Sequence, residues 1–307
     1  MSPAALQNLL RAAPVVFAVL WSTGYIGAKL GAPYAEPFTF LTLRFALVFV
    51  LLAPVFGALG LRWPRGRALA DALLTGVLMH GIYLGGIFWV IDRGLPTGIA
   101  ALIVSMQPLS TALLAWPLLG ERPGRRTWIG LILGLAGTLL VLGPKVSLVA
   151  GGSGAGAGID AMTVGVSLLS LLSITLGTIH QKRQGSGQAG AADPRTSFAV
   201  QFIGATAVVG PAALLLETRD VIWSGQFVFA LAWLVVVLSL GAFGLLMLML
   251  RHSAVSRVAA LFYLIPVITA LMAYPLFGET LVPVQIAGMA LVVVAVMVAA
   301  RAPALSE

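Results

Sequence analysis

The sequence predicts an all-α integral membrane protein: ten transmembrane helices arranged as two inverted five-helix repeats around a central cavity. Three observations predict it. The apolar runs have spanning length, the basic residues between them lie mostly on one side, and the chain resembles itself at a fixed offset.

Of the 307 residues, 60% are hydrophobic and 9% charged. The mean hydropathy is +1.03, whereas a soluble domain carries roughly 25% charged residues. A surface of this composition has to face lipid. The net charge of +8 does not point to nucleic acid, because the basic residues are scattered in short groups between apolar runs. Without cysteine there are no disulfides, thiolate metal sites or cysteine nucleophiles, and no metal or other cofactor is expected. The flank Lys29-Leu30-Gly31 of the first apolar run lacks a small-x-small cleavage site, so that run is expected to stay as the first span.

In order, the runs fall at 14–32, 36–59, 69–91, 96–119, 127–144, 160–181, 196–216, 227–250, 255–277 and 282–300. Each is long enough to cross about 30 Å of hydrocarbon at about 1.5 Å per residue. None alternates apolar with polar residues, which excludes a lipid-facing barrel. The connections carry turn residues, as in Arg62-Trp63-Pro64-Arg65 and Gly120-Glu121-Arg122-Pro123. With the N-terminus inside, thirteen basic residues lie on the inner side and four on the outer (Lys29, Arg93, Lys145 and Arg219), while Arg44 lies within a span. This bias predicts that both termini are cytoplasmic.

Shifted by 158 residues, Ala101–Glu121 falls on Ala259–Glu279 with ten identities, among them Pro108/Pro266, Pro117/Pro275, Gly120/Gly278 and Glu121/Glu279. The same shift pairs Arg93 with Arg251, Gly86 with Gly244 and Gly130 with Gly288. A shift of 157 pairs Pro37, Thr39 and Phe45 with Pro194, Thr196 and Phe202, and a shift of 153 pairs Gly24 and Lys29 with Gly177 and Lys182. The expected units are residues 1–145, a Gly-rich extracytoplasmic linker at 146–159, and residues 160–307. Five is odd, so the second copy crosses in the opposite sense. Inverted copies have two near-equivalent arrangements, which is the basis of alternating access.

The chain resembles the drug/metabolite transporter superfamily of the ten-helix EamA type. The resemblance rests on Trp21-Ser22-Thr23-Gly24 with Lys29, on Pro37 with Arg44-Phe45, on Ala100-Ala101-Leu102 through Pro108, and on the two Gly-Glu turns. Within that superfamily it is similar to YddG-like amino-acid exporters. The resemblance implies an inner-membrane exporter of aromatic and other neutral amino acids. It also implies a cavity ringed by spans 1, 3, 4, 6, 8 and 9, with spans 5 and 10 at the periphery.

Polar groups inside lipid are costly and point to a cavity or a partner. The candidate substrate-binding residues are Ser22, Tyr25, Met79, His80, Tyr83, Ser105, Met106, Thr175, Thr178 and Tyr263. His80 is central because its imidazole, near mid-span, can bind a carboxylate or carry a proton; the alternative is a neutral histidine bonded to a neighbouring helix. Pro108 and Pro266, expected inside helices, are candidate hinges with Gly244, and Lys29 is a candidate gating charge. Arg44 and its counterpart Gln201 are read as structural, with anion binding the alternative for Arg44. No Asp or Glu falls mid-span, so uniport-like export is expected rather than proton coupling through a carboxylate. The partners expected are a small metabolite and the bilayer. One chain suffices to form the cavity, with a dimer the alternative. Multidrug export is the closest competing function. An intramembrane enzyme lacks the metal motif, glycine loop or acidic pair it requires, and a channel lacks charged rings or a pore loop.

Overall fold

A backbone N–H or C=O in hydrocarbon has no water to bond, so each apolar run closes its own hydrogen bonds as a helix. The computed structural model describes residues 3–95, 97–150, 160–185, 193–277 and 281–300. The first five spans are α1 (Pro3–Gly31), α2 (Pro37–Ala58), α3 (Gly66–Asp92), α4 (Thr97–Val104 and Gln107–Leu119) and α5 (Arg125–Ala150). The second five are α6 (Ala161–Gly185), α7 (Pro194–Leu216), α8 (Gly225–His252), α9 (Val255–Ala260, a 3-10 turn Leu261–Tyr263, then Leu264–Phe277) and α10 (Pro283–Ala300). The expected Gly-rich linker is partly helical, since α5 continues to Ala150; its remainder at 151–159, and the turn Gly278-Glu279, lie outside the described residues.

The packing repeats the sequence duplication. Helix α1 packs on α8 and α9, and its counterpart α6 packs on α3 and α4. Helices α2 and α7 pair with each other, as do α4 with α9 and α5 with α10. A contact in one half thus has its mate in the other, as two copies related by inversion require.

Glycine sets the closest approaches. A Cβ on Gly76 would collide with the Gln201 carbonyl oxygen and one on Gly204 with that of Leu73, so α3 and α7 meet backbone to backbone. Between α5 and α10, Gly137 and Gly288 do the same, each Cβ falling within 3 Å of the other's carbonyl oxygen. Gly130 abuts Ala295 of α10, while Gly134, one turn along, seats the ring of Tyr263 from α9. Small residues permit such contacts where lipid provides no hydrophobic drive for helix association.

Two clasps join the halves. At one end the Glu217 carboxylate accepts from the N–H groups of Phe38 and Thr39, both at 2.7 Å, and from the Thr39 hydroxyl at 2.7 Å. It therefore satisfies the otherwise unpaired first-turn donors of α2. In return Glu36 accepts from the N–H and hydroxyl of Thr218 at 2.8 Å and from the Arg219 N–H at 3.0 Å. At the opposite end the Asp193 N–H and the Thr196 hydroxyl donate to the Arg62 carbonyl at 3.0 and 2.8 Å. Since the 157-residue shift lays Glu36 on Asp193, both clasps use the acidic residue before α2 or α7 and the loop that follows the other helix. A further tie comes from the first Gly-Glu turn. Gly120 ends α4 at φ 73°, a left-handed value that suits glycine, and Glu121 accepts the Val255 N–H at 2.9 Å where α9 begins.

The Thr218 hydroxyl, with the N–H groups of Arg219 and Thr218, holds the Glu36 carboxyl below the usual carboxylate range. Its contribution is therefore present above pH 4.5, the ordinary value, and is lost as pH falls through the depressed folded value. The thermal midpoint in detergent should fall on acidification below that point, and Glu36→Gln should lower it at neutral pH and flatten the acid dependence. Gly204→Ala should destabilise by about 1–3 kcal/mol or more through overpacking. Gly244→Ala, whose Cβ would meet nothing within 4 Å, should leave the midpoint within a degree or two of wild type.

Candidate functional site

A cavity of about 60 Å³ lies where α1, α2 and α3 of the first half meet α8 of the second. Trp21, Ala28, Arg44, Tyr83, Phe88 and Leu238 are among its walls. On the side toward the N-terminus of α1 it is backed by aromatic packing: Trp21 lies 4.6 Å from Phe243 and 5.1 Å from Phe262, and Phe17 lies 5.1 Å from Trp21, ring centre to ring centre. About 60 Å³ is well below the roughly 300 Å³ at the lower end of small-molecule pockets. This conformation accommodates one polar head group, and a whole metabolite requires the halves to part.

The elements around the cavity are irregular at matched places. Helix α3 widens into a π-helical segment over Val77–Ile82 and α8 does so over Leu234–Ala242, segments that the 158-residue shift overlays. Opposite each bulge stands a glycine. A Cβ on Gly24 of α1 would meet Leu238 at 2.7 Å, and one on Gly177 of α6 would meet Met79 at 2.5 Å. Gly24 and Gly177 are themselves a repeat pair. Leu238, inside the α8 bulge, and Tyr83, the residue that follows the α3 bulge, both line the cavity.

Helices α4 and α9 are both interrupted. Pro108 and Pro266 were expected inside helices, but they sit in the first turn of the half-helices Gln107–Leu119 and Leu264–Phe277. A missing N–H costs little there, because first-turn donors have no intrahelical acceptor. In these two half-helices the other repeat pair, Pro117 and Pro275, falls within the helical segment, in its last turn.

Arg44 is 1% exposed and lines the cavity. Its Nε donates to Ser239 Oγ of the α8 bulge at 3.0 Å, and its buried Nη2 has no hydrogen-bond partner among the described residues. Its repeat counterpart Gln201 is satisfied, donating to Gln181 Oε1 at 2.6 Å.

Of the residues expected to bind substrate, Tyr83 is on the wall. His80 lies beside it but inside an aromatic cage, stacked on Phe202 at 4.9 Å and near Phe243 and Phe45 at 4.4 and 5.8 Å. Ser22, Ser105, Thr175 and Thr178 each donate to a carbonyl of their own helix, of Ala18, Leu102, Leu171 and Ile174, at 2.6–2.7 Å, a common outcome for hydroxyls in helices. Ser22 also reaches the Ile265 carbonyl at 3.4 Å, linking α1 to α9. Met79 is buried under Gly177, Met106 is exposed, and Tyr263 packs against Gly134 of α5. Lys29 is exposed at the end of α1, and Gly244 makes no close approach. The side chain of Tyr25 lies outside the described residues. The expected ring of spans 1, 3, 4, 6, 8 and 9 therefore contributes α1, α3 and α8 to this cavity, and α2 enters it through Arg44.

A model of the EamA-like transporter family matches the chain twice, at residues 12–143 and 162–301. The chain belongs to the EamA-like transporter family. It is 28% identical to the uncharacterized transporter YvbV of Bacillus subtilis, over 91% of this chain and 87% of that protein. It is 25% identical to a probable amino-acid metabolite efflux pump of Salmonella typhimurium, over 89% of each. A solved crystal structure superposes on it with a TM-score of 0.76 at 20% identity, covering 95% of this chain and 96% of its own, which shows a shared fold. Membership in this family agrees with the all-helical architecture, the duplication and a multi-pass membrane location.

If Pro108 and Pro266 open half-helices rather than kink continuous ones, Pro108→Ala and Pro266→Ala should each shift stability by less than about 1 kcal/mol, well below the roughly 3 kcal/mol associated with an interior proline. Thermal unfolding of the two variants against wild type checks this.

Proposed function

We propose that the protein exports aromatic and other neutral amino acids, or closely related metabolites, by alternating access, as a uniporter in the bacterial inner membrane with both termini cytoplasmic. The observation that carries the reading is the position of the cavity. It lies between the inverted halves, beside the bulged helices α3 and α8, and Trp21 on its wall packs on Phe262 at the break in α9. Discontinuous helices at a repeat interface are where secondary transporters bind substrate. The walls are apolar and aromatic apart from Arg44 and Tyr83, which suits a metabolite with an apolar body and one polar end. Kinship with a protein named as an amino-acid metabolite efflux pump supports the same class, and the excess of basic residues on one side supports the orientation.

A cationic-drug exporter on the same scaffold is the second reading. It is disfavoured because Arg44, the charged side chain on the wall among the described residues, is itself a cation.

Purified protein in liposomes should exchange labelled aromatic or aliphatic amino acids in counterflow, and cationic drugs should not compete. An imposed pH gradient should not drive accumulation, because no carboxylate lies mid-span. Accumulation that follows the proton gradient would replace the uniport reading, and competition by cationic drugs alone would replace the substrate class.

A further inference from the structure

The repeat compares two versions of one local arrangement. In the second half, Gln201 of α7 donates to Gln181 of α6 at 2.6 Å, and both are buried. The shifts of 157 and 153 residues that relate the halves carry Gln201 onto Arg44 and Gln181 onto Ala28. In the first half the acceptor is therefore missing. A methyl group stands where the amide would be, and both Ala28 and Arg44 border the cavity. Ser239, which accepts from Arg44 Nε, has Gly81 as its counterpart under the 158-residue shift. One half of the duplication has a closed polar pair. The other has an arginine that donates its Nε to Ser239, borders the cavity and keeps a buried Nη2 with no partner among the described residues.

A buried guanidinium with an unpaired N–H is expensive to maintain unless something meets it. No salt bridge involving Arg44 occurs among the described residues, and its Nη2 is buried without a partner. We infer that Arg44, at the cavity left by Ala28, is the anchor for the carboxylate of the transported molecule. The inference rests on the export reading and narrows its substrate class. A carboxylate oxygen accepts from Nη2 while Ser239 holds the plane of the guanidinium; arginine is suited to this because its fork is rigid and its charge permanent. The volume of about 60 Å³ matches a head group of two or three heavy atoms, whose neighbours along the wall are Trp21, Leu84, Ile87 and Phe88. Among the described residues no acidic side chain lines the wall, so an α-ammonium finds no ionic partner there. The site therefore requires the carboxylate and dispenses with the amine, which extends the substrate class to apolar acids that lack an amino group.

Three probes of one skeleton test this by thermal shift and calorimetry on purified full-length protein: phenylalanine, 3-phenylpropionate and phenethylamine. The first two should bind, and phenethylamine should bind at least tenfold more weakly. Arg44→Gln reproduces the residue that the second half holds at the matched position, and it should weaken both carboxylates by about 10- to 100-fold. Ala28→Gln keeps the arginine but supplies the missing acceptor, so it should also remove binding while raising thermal stability. Equal binding of phenethylamine and 3-phenylpropionate, failure of both carboxylates to bind, or unchanged carboxylate binding in the folded Ala28→Gln variant would overturn the inference. Liposome transport separates it from the reading beneath it. Arg44-dependent binding without transport of any probe upholds the anchor and rejects export. Phenylalanine transport that is unaltered in Arg44→Gln upholds export and rejects the anchor.

Discussion

The constraint on which the rest depends is that every polar group in the hydrocarbon layer must find a partner within the chain itself. It makes each span a helix, ties the serine and threonine hydroxyls to carbonyls one turn back, and sends Glu217 and Glu36 to the helix and loop donors near the ends of the bundle. Several buried groups escape the rule among the described residues, including both His80 nitrogens, Gln107 Oε1 and Tyr263 Oη; Arg44 Nη2 is the one that carries a permanent charge, and its residue borders the cavity between the two halves.

Duplication alone would produce a symmetric bundle, and much of this one is symmetric. The π segments of α3 and α8, the glycines that face them, the interruptions in α4 and α9 and the acidic clasps all occur twice. Function requires the copies to diverge somewhere. They diverge around the cavity, where Arg44, Ala28 and Ser239 face Gln201, Gln181 and Gly81 as counterparts. On the proposed reading, the symmetric features supply two equivalent packings and the asymmetric ones the place for a ligand.

Most of the fold was legible in the sequence. Span boundaries follow from hydropathy because lipid imposes a length, and the repeat followed from matched prolines and glycines, which shared hydrophobicity does not produce. The candidate site was less legible. Polarity in a span identified Ser22, Ser105, Thr175 and Thr178, but a hydroxyl can bond its own helix, so its presence does not imply a cavity. His80 stood out by position, yet phenylalanines from α2, α7 and α8 surround it, and such an arrangement arises only on folding. In the sequence Arg44 reads as structural because its counterpart Gln201 is uncharged; the anion-binding alternative draws on the same alignment, since the partner that satisfies Gln201 is replaced by alanine in the first half. Tertiary breaks were also hidden. A proline in an apolar run reads as a kink, and only the backbone shows that Pro108 and Pro266 start new helices.

The seam between α5 and α10 has a mechanical consequence. Where Gly137 and Gly288 bring two backbones into contact, no side chains intervene to slide or change rotamer, so any shear there would force main-chain atoms together. Rearrangement is cheaper at the bulges, where flexible tips such as Leu238 and Met79 fill the space over a glycine. In the proposed alternating access, the seam is therefore the stiff axle, and the helices that enclose Arg44 are placed to move more than it does.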